Sequence, residues 1–436
     1  MPGVATLRPR PSSVSIHVPV GSEVARFHVF DDCVYAYEYA LANRELTALT
    51  QGTLLSSGLS DGDVRTVVEE RTVPELARRL AYYERIDYNG SSVPTHQKTL
   101  SKVSGAIASS SGKAYMTHWI YPYKGKFHPQ MVRGLLNIMG MQEGETVLDP
   151  MTGSGTVNIE ASLMGIDSIG IDVSPIGILA SRVKRALLEK ANADSFSENL
   201  PAGPPKVTLL RGRQQTLTQM ADQSGPSSEG VGGIVGDSLR LLEFEVMSIC
   251  QNPKKDFATI WAKIAGFYRK TALDSSRTVQ KLGIRLGNAI VRLGDARETG
   301  LQDDSVDGIV TSPPYAIALD YVSRNGVQLE KMGYALGEMY TRTIGLRGKA
   351  KEQADLYYLD LETSIREMYR VLRPGRFCVI VIGDTRFDGK LLPTIQRAIG
   401  FCENAGFRLV ENMRKISAGQ WGLFRTESML LLRKPP

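Results

Sequence analysis

Cysteine is scarce in these 436 residues: Cys33, Cys250, Cys378 and Cys402 are the whole supply, and no two form a C-x-x-C pair. A disulfide framework or a zinc cage is therefore not expected, and no metal site is assigned. Long apolar runs are missing as well, and the N-terminal stretch does not read as a secretory signal, so the expectation is a cytoplasmic protein with no membrane contact. Charge of one sign is not in excess either. The 52 basic and 46 acidic residues leave a net charge of +6, a mild lean towards polyanions that names no partner. At 42% hydrophobic content the chain is large enough for two or three domains and a substantial core.

What is present is a set of short apolar runs, each ending in a small or acidic turn. Glu145 to Leu148 reads as a strand, Asp149-Pro-Met-Thr-Gly-Ser-Gly-Thr156 as a glycine-rich turn, and Val157 to Met164 as the following helix. Gly153 and Gly155 let a backbone approach a ligand closely, and a helix N-terminus offers free N–H groups. The loop is not a Walker loop, since no Gly-Lys-Ser/Thr ends it, and it does not match G-x-G-x-x-G. Ser168 to Asp172 reads as a second strand ending in an acid about twenty residues on, where such folds place a carboxylate on ribose hydroxyls. Helix N-capping before Pro175 is the other reading of Asp172. Ala289 to Leu293 reads as a third strand, ending in Gly294-Asp295-Ala296, which would set a carboxylate beside an adenine amine or simply make a turn.

A fourth strand, Val306 to Thr311, delivers Ser312-Pro313-Pro314-Tyr315 at its carboxyl end. The exocyclic amine of a nucleobase is a poor nucleophile because its lone pair is delocalised into the ring. Hydrogen bonds accepted from its two N–H groups by the Ser312 oxygen and the Pro313 carbonyl would localise that pair and stabilise the developing charge. Successive prolines suit this task, since they fix φ and hold a carbonyl rigidly outwards. Tyr315 offers a face for an extruded base, a stacking contact worth about 1–3 kcal/mol.

Together these motifs resemble the S-adenosylmethionine-dependent amino-methyltransferases of DNA, whose N4-cytosine branch usually begins the tetrapeptide with Ser. The resemblance covers roughly residues 117–185 and 288–435. It implies an α/β fold, a Rossmann-like class I methyltransferase with a mostly parallel sheet, an N-terminal α+β module and a helical insertion. It further implies S-adenosyl-L-methionine as cofactor, with Asp149, Gly153 and Gly155 around its methionine part, Asp172 at its ribose and Asp295 at its adenine. Tyr121-Pro-Tyr-Lys-Gly-Lys-Phe-His-Pro129 is similar to the family segment that closes over the cofactor, with Lys126 and Phe127 at its centre. The candidate cofactor set thus contains Lys126, Phe127, Asp149, Pro150, Thr152, Gly153, Ser154, Gly155, Thr156, Asp172, Val173, Ser174, Asp295 and Ala296, and the catalytic set Ser312, Pro313, Pro314 and Tyr315. Arg370 to Asp384 resembles the family's later helix, turn and strand.

The expected organisation is an N-terminal module with a Ser-rich linker (1–115), a catalytic domain in two pieces (116–190 and 288–436) and an insertion (191–287) that serves target recognition or is a solvated helical face. In the N-terminal region Ile16–Pro19 and Phe27–Phe30 read as strands, Ala36–Leu49 and Val73–Glu84 as helices, and Gly90–Gly112 as linker. Within the insertion, 202–205 and 224–233 read as loop, and Leu239 to Tyr268 has helical spacing. Basic residues Arg269, Lys270, Arg277, Lys281 and Arg285, and the loop from Tyr340 to Lys351, are candidate phosphate contacts or solvated faces. Carbon-5 cytosine methylation is excluded, because it needs a thiolate presented after proline and no cysteine here follows one. His118 and His128 read as partly exposed structural residues. The expected reaction is methylation of DNA at cytosine N4. Adenine N6, guanine N2 of tRNA (from a loose similarity of the N-terminal region to the front domains of such enzymes), and a non-catalytic specificity subunit stay open. DNA is the expected partner, RNA the alternative, and a cognate restriction endonuclease a further one.

Overall fold

The computed structural model describes residues 22–52, 54–56, 62–103, 114–123, 125–201, 203–204, 231–251, 255–314, 320–349, 352–387, 390–418 and 424–436. The expected strand at 16–19, Tyr315, Lys351 and most of the 202–205 and 224–233 loops lie outside them.

The N-terminal elements are β1 (Ser22–Val29), α1 (Ala36–Thr50), β2 (Asp63–Glu69), α2 (Val73–Arg79), β3 (Tyr83–Tyr88), β4 (Ser91–Pro94) and α3 (His96–Leu100). They form an antiparallel sheet of order β2-β1-β3-β4. The helix expected to reach residue 84 ends at Arg79, because buried Glu45 of α1 takes the N–H groups of Ala81 and Tyr82 and turns the chain into β3. Within the expected linker, Ser91–Pro94 closes the sheet edge and α3 follows, and residues 104–112 lie outside the described ones.

Next come α4 (Pro129–Ile138), β5 (Thr146–Asp149), α5 (Thr156–Leu163), β6 (Asp167–Asp172), α6 (Pro175–Ala186), α7 (Lys190–Glu198), α8 (Val231–Ile249), α9 (Phe257–Lys281), β7 (Ala289–Leu293) and β8 (Val306–Thr311). The chain continues through α10 (Tyr321–Arg324), α11 (Gly326–Lys331), α12 (Leu336–Arg342), α13 (Gln353–Val371), β9 (Leu372–Gly383), the ribbon β10 (Thr385–Phe387) and β11 (Lys390–Leu392), α14 (Thr394–Ala405), β12 (Arg408–Ala418) and β13 (Phe424–Arg433). Seven of these strands build the central sheet, in the order β12-β13-β9-β8-β5-β6-β7. Pairings among β9, β8, β5, β6 and β7 are parallel, while β13 runs antiparallel to both neighbours. This is a Rossmann-like class I methyltransferase sheet. From β5 the chain winds outwards one way through β6 and β7, then returns to lay β8 and β9 on the other side. The β5/β8 junction is the switch point, outside whose carboxyl ends open α/β sheets bind ligands.

The N-terminal α+β elements, with a sheet of their own, pack closely on the central sheet, and one hydrophobic core runs from Phe27, Leu41 and Tyr83 through Leu135 of α4 to Val147, Val310 and Val379. A polar joint inside that core holds it in register. Asn137 of α4 donates to Glu45 and accepts from Arg79, and Gln130 donates to the Ala81 carbonyl. The insertion packs onto the same body. Its helices α8 and α9 share a core with α6, α7 and the helices after the tetrapeptide, through Trp261, Tyr268, Leu242, Val183, Val322 and Leu329. Gln328 donates to Ser248 at 2.7 Å and Lys331 to Glu243 at 3.2 Å, fastening α11 to α8.

No helix among the described residues is long and apolar enough to cross a membrane.

Candidate functional site

Asp149 ends β5 with its carboxylate buried. Oδ1 accepts from the Met151 N–H and from the Thr311 hydroxyl at 2.8 Å, which ties the glycine loop to the last residue of β8. Burial pushes this carboxyl up to about 7, against the pull of those two donors and reinforced by the neighbouring Asp172. The loop then turns through Gly153 (φ +50°) and Gly155 (φ +81°), both left-handed, before α5 begins.

The two glycines answer to different neighbours. A Cβ on Gly153 would lie 3.1 Å from the Tyr123 ring, so this glycine lets Tyr123 fold down over the loop. A Cβ on Gly155 would lie 2.0 Å from the Ser181 hydroxyl of α6. Helix packing thus requires a glycine at 155.

Asp172 closes β6. Oδ2 accepts from the Gly153 N–H at 2.7 Å and Oδ1 from the Ser174 N–H at 2.8 Å, and burial holds its carboxyl above the usual range. It is not the helix cap. Ser174 is, its hydroxyl accepting from the Gly177 N–H at 3.2 Å. Asp295, after β7, is clasped by Arg297, whose Nε and Nη2 reach Oδ1 and Oδ2 at 2.9 and 2.6 Å. Ser312 donates its hydroxyl hydrogen to the Val381 carbonyl at 3.0 Å. That bond leaves the oxygen's lone pairs as acceptors.

Lys126, Phe127, Asp149, Pro150, Thr152, Gly153, Ser154, Asp172, Val173, Ser174, Asp295, Ala296, Ser312 and Pro314 line one cleft. Gly155, Thr156 and Pro313 do not line it. An S-adenosyl group fits this cleft on the character of its walls. Three carboxylates suit a sulfonium and an ammonium, and Lys126 and Arg342 suit a carboxylate. The Ser154 hydroxyl, 2% exposed, has no hydrogen-bond partner among the described residues and sits in the cleft wall.

Residues 120–198 match the model of the UPF0020 family, described as an RMKL-like methyltransferase domain. The chain carries an S-adenosylmethionine-dependent methyltransferase domain. Among curated relatives, it is 38% identical over 105 residues to the Type II methyltransferase M.MjaII of Methanocaldococcus jannaschii, covering 22% of this chain and 20% of that one. It is 42% identical over 72 residues to the Type II methyltransferase M.BsoBI of Geobacillus stearothermophilus, covering 16% and 14%. To the tRNA (guanine(10)-N2)-dimethyltransferase of Methanothermobacter thermautotrophicus it is 39% identical over 51 residues, covering 12% and 15%. The matches thus span a fifth or less of each relative's length.

The cleft has a wall that sequence reasoning missed: Val322 and Leu329 from α10 and α11, and Met339, Arg342, Thr343 and Ile344 at and after α12. Nothing in their local sequence marks them, and only the packing of α10 to α12 on α8 and α6 brings them to the glycine loop. Tyr123 lay within the quoted Tyr-Pro-Tyr segment without being singled out.

Several charged residues have structural employment. His118 is fully buried, not partly exposed, and pairs at 2.7 Å with Glu160, which also accepts from Arg133. Lys126 donates to the His118 carbonyl at 2.9 Å, and burial pulls its amine down to about 8. Arg347, read as a phosphate contact, donates to buried Asp360 at 2.7 Å. Arg269 donates to Ser197, and Lys270 pairs with Asp274.

Proposed function

We propose that this protein methylates an exocyclic amine of a nucleobase in DNA, with N4 of cytosine as the target. The observation that carries the reading is the meeting, in one cleft, of the glycine loop after β5 with the Ser-Pro-Pro turn after β8, locked by the Thr311–Asp149 hydrogen bond. When bound, S-adenosylmethionine supplies a methyl group on a positively charged sulfur. Its transfer to the amine nitrogen would leave the C–S bonding pair on sulfur, and the residues that would hold the cofactor are those of the glycine loop, Asp172 and Asp295. The amine then loses a proton to solvent. The chain contributes acceptors: the Ser312 oxygen, whose O–H is turned towards the Val381 carbonyl and whose lone pairs stay available, and the Pro313 carbonyl, held by two successive prolines.

The partial matches to Type II methyltransferases support DNA as the polymer, and a companion endonuclease belongs to the same reading. Guanine N2 of tRNA is the second reading, favoured by the match to a tRNA dimethyltransferase. Mass spectrometry of nucleosides from DNA and from tRNA incubated with protein and cofactor tests both. N4-methylcytosine in DNA is expected. N6-methyladenine would move the target within the same chemistry, methylguanosine in tRNA would install the second reading, and methylation at carbon would overturn the amine mechanism.

A further inference from the structure

Arg297 does not line the cleft, yet it governs two of its walls. Its Nε, Nη2 and backbone N–H donate to the Asp295 carboxylate at 2.9, 2.6 and 2.9 Å. The same guanidinium donates through Nη2 to the Arg342 carbonyl at 3.1 Å and through Nη1 to Asp360 of α13 at 2.9 Å. Asp360 is 2% exposed and anchors the assembly in the core. One side chain therefore fixes both Asp295, just beyond β7, and the backbone leading into Thr343 and Ile344. A carboxylate offers about four acceptor directions. Three donors from Arg297 leave roughly one of them for a ligand, so Asp295 is turned from a diffuse negative charge into a directional acceptor for a single N–H.

We propose that Arg297 is the positioning residue for purine recognition, setting Asp295 to accept from the amine of an adenine ring and to reject a ring that carries oxygen at that position. The inference rests on the reading that Asp295 faces the cofactor's adenine. A planar fork does this where an ammonium does not, because it fixes both carboxylate oxygens at once.

Titration calorimetry with S-adenosylhomocysteine and S-inosylhomocysteine, which differ in the 6-substituent and in the hydrogen that the inosine ring carries on N1, tests it. The wild-type protein should prefer the adenosyl compound by about 10- to 100-fold, the range for a hydrogen bond to a charged group. Arg297→Gln should bring the two affinities to within a few-fold of each other, and Arg297→Lys should recover part of the gap. Arg347→Gln removes the other partner of Asp360 without touching Asp295, so it should lower the melting temperature and leave the ratio unchanged. Equal losses for both compounds in Arg297→Gln, with the ratio preserved, would make Arg297 a brace only and overturn the proposal. A wild-type protein that binds both compounds equally would instead overturn the placing of adenine at Asp295, and failure to bind either would overturn the cofactor reading of the cleft.

Discussion

The Thr311 hydroxyl donates to the Asp149 carboxylate at 2.8 Å across 162 positions of sequence, and it is the direct link between the two loops on which the chemistry is proposed to depend. Thr311→Val keeps the side-chain shape and removes the donor, leaving a buried carboxylate with one fewer partner. We expect a loss of about 1–3 kcal/mol in stability, read by urea denaturation, with weaker cofactor binding by calorimetry. Unchanged values on both would show the bond to be incidental.

Asp149 also sets a pH dependence. Its folded value of about 7 lies above the ordinary carboxylate range near 4, so the folded state favours the protonated form. The stability it contributes is complete below about 4 and is lost as pH rises through about 7. The melting temperature of the cofactor-free protein should therefore fall between pH 5 and pH 8, and Asp149→Asn should flatten part of that slope. Glu45 and Glu245, pushed up to about 7 by burial, supply the same sign and keep the remainder. Cofactor binding should run the other way. If a cationic group pairs with ionised Asp149, affinity rises towards pH 8, by up to about tenfold per unit below the folded value, and Asp149→Asn removes that dependence.

The glycines should separate cleanly. Gly155→Ala drives a methyl group towards Ser181 at a left-handed position, and about 3 kcal/mol or more of stability should be lost. Ser181→Ala should not rescue it, since the Ser181 Cβ would still lie 2.6 Å away. Gly153→Ala meets only the Tyr123 ring, so its larger effect should be on cofactor affinity. Thermal melts and calorimetry on the two variants make the comparison.

For the Ser-Pro-Pro turn, Ser312→Ala and Pro313→Ala should slow methyl transfer by about 10²–10³ while cofactor affinity stays close to wild type. Single-turnover assays beside calorimetry decide this. Full rates in both variants would remove the turn from the mechanism.

Nucleic-acid contact by the loop after α12 should fall on Lys349, which is exposed, and not on Arg347, which is spent on Asp360. Lys349→Ser should lower the log–log salt slope of DNA binding by about one, whereas Arg347→Ser should cost stability and leave the slope alone.

The site was legible in sequence where chemistry and strand pattern coincide. Val147-Leu148-Asp149, Ile169 to Asp172 and Val306 to Thr311 are apolar runs halted by a polar turn, and their boundaries in the structure agree with the reading within a residue or so. What escaped was long-range. Glu45 looks like a surface acid on a helix until Ala81, Tyr82 and Asn137 close on it, and that closure fastens the N-terminal elements to α4 beside the central sheet. The wall from Val322 to Ile344 escaped for the same reason, as its residues acquire a role only through packing on α8 and α6. Asp295 was found, but its Arg297 clasp two residues on was not, because spacing alone does not reveal where a guanidinium turns.

The span between Asp149 and Thr311 also has a meaning in time. A ribosome adding about 5–20 residues per second needs roughly ten to thirty seconds to pass from one to the other. Through most of that interval β5 and β6 have been synthesised, while the hydroxyl that Asp149 accepts from and the Ser312–Pro314 side of the cleft have not. The cleft therefore becomes complete only late in synthesis.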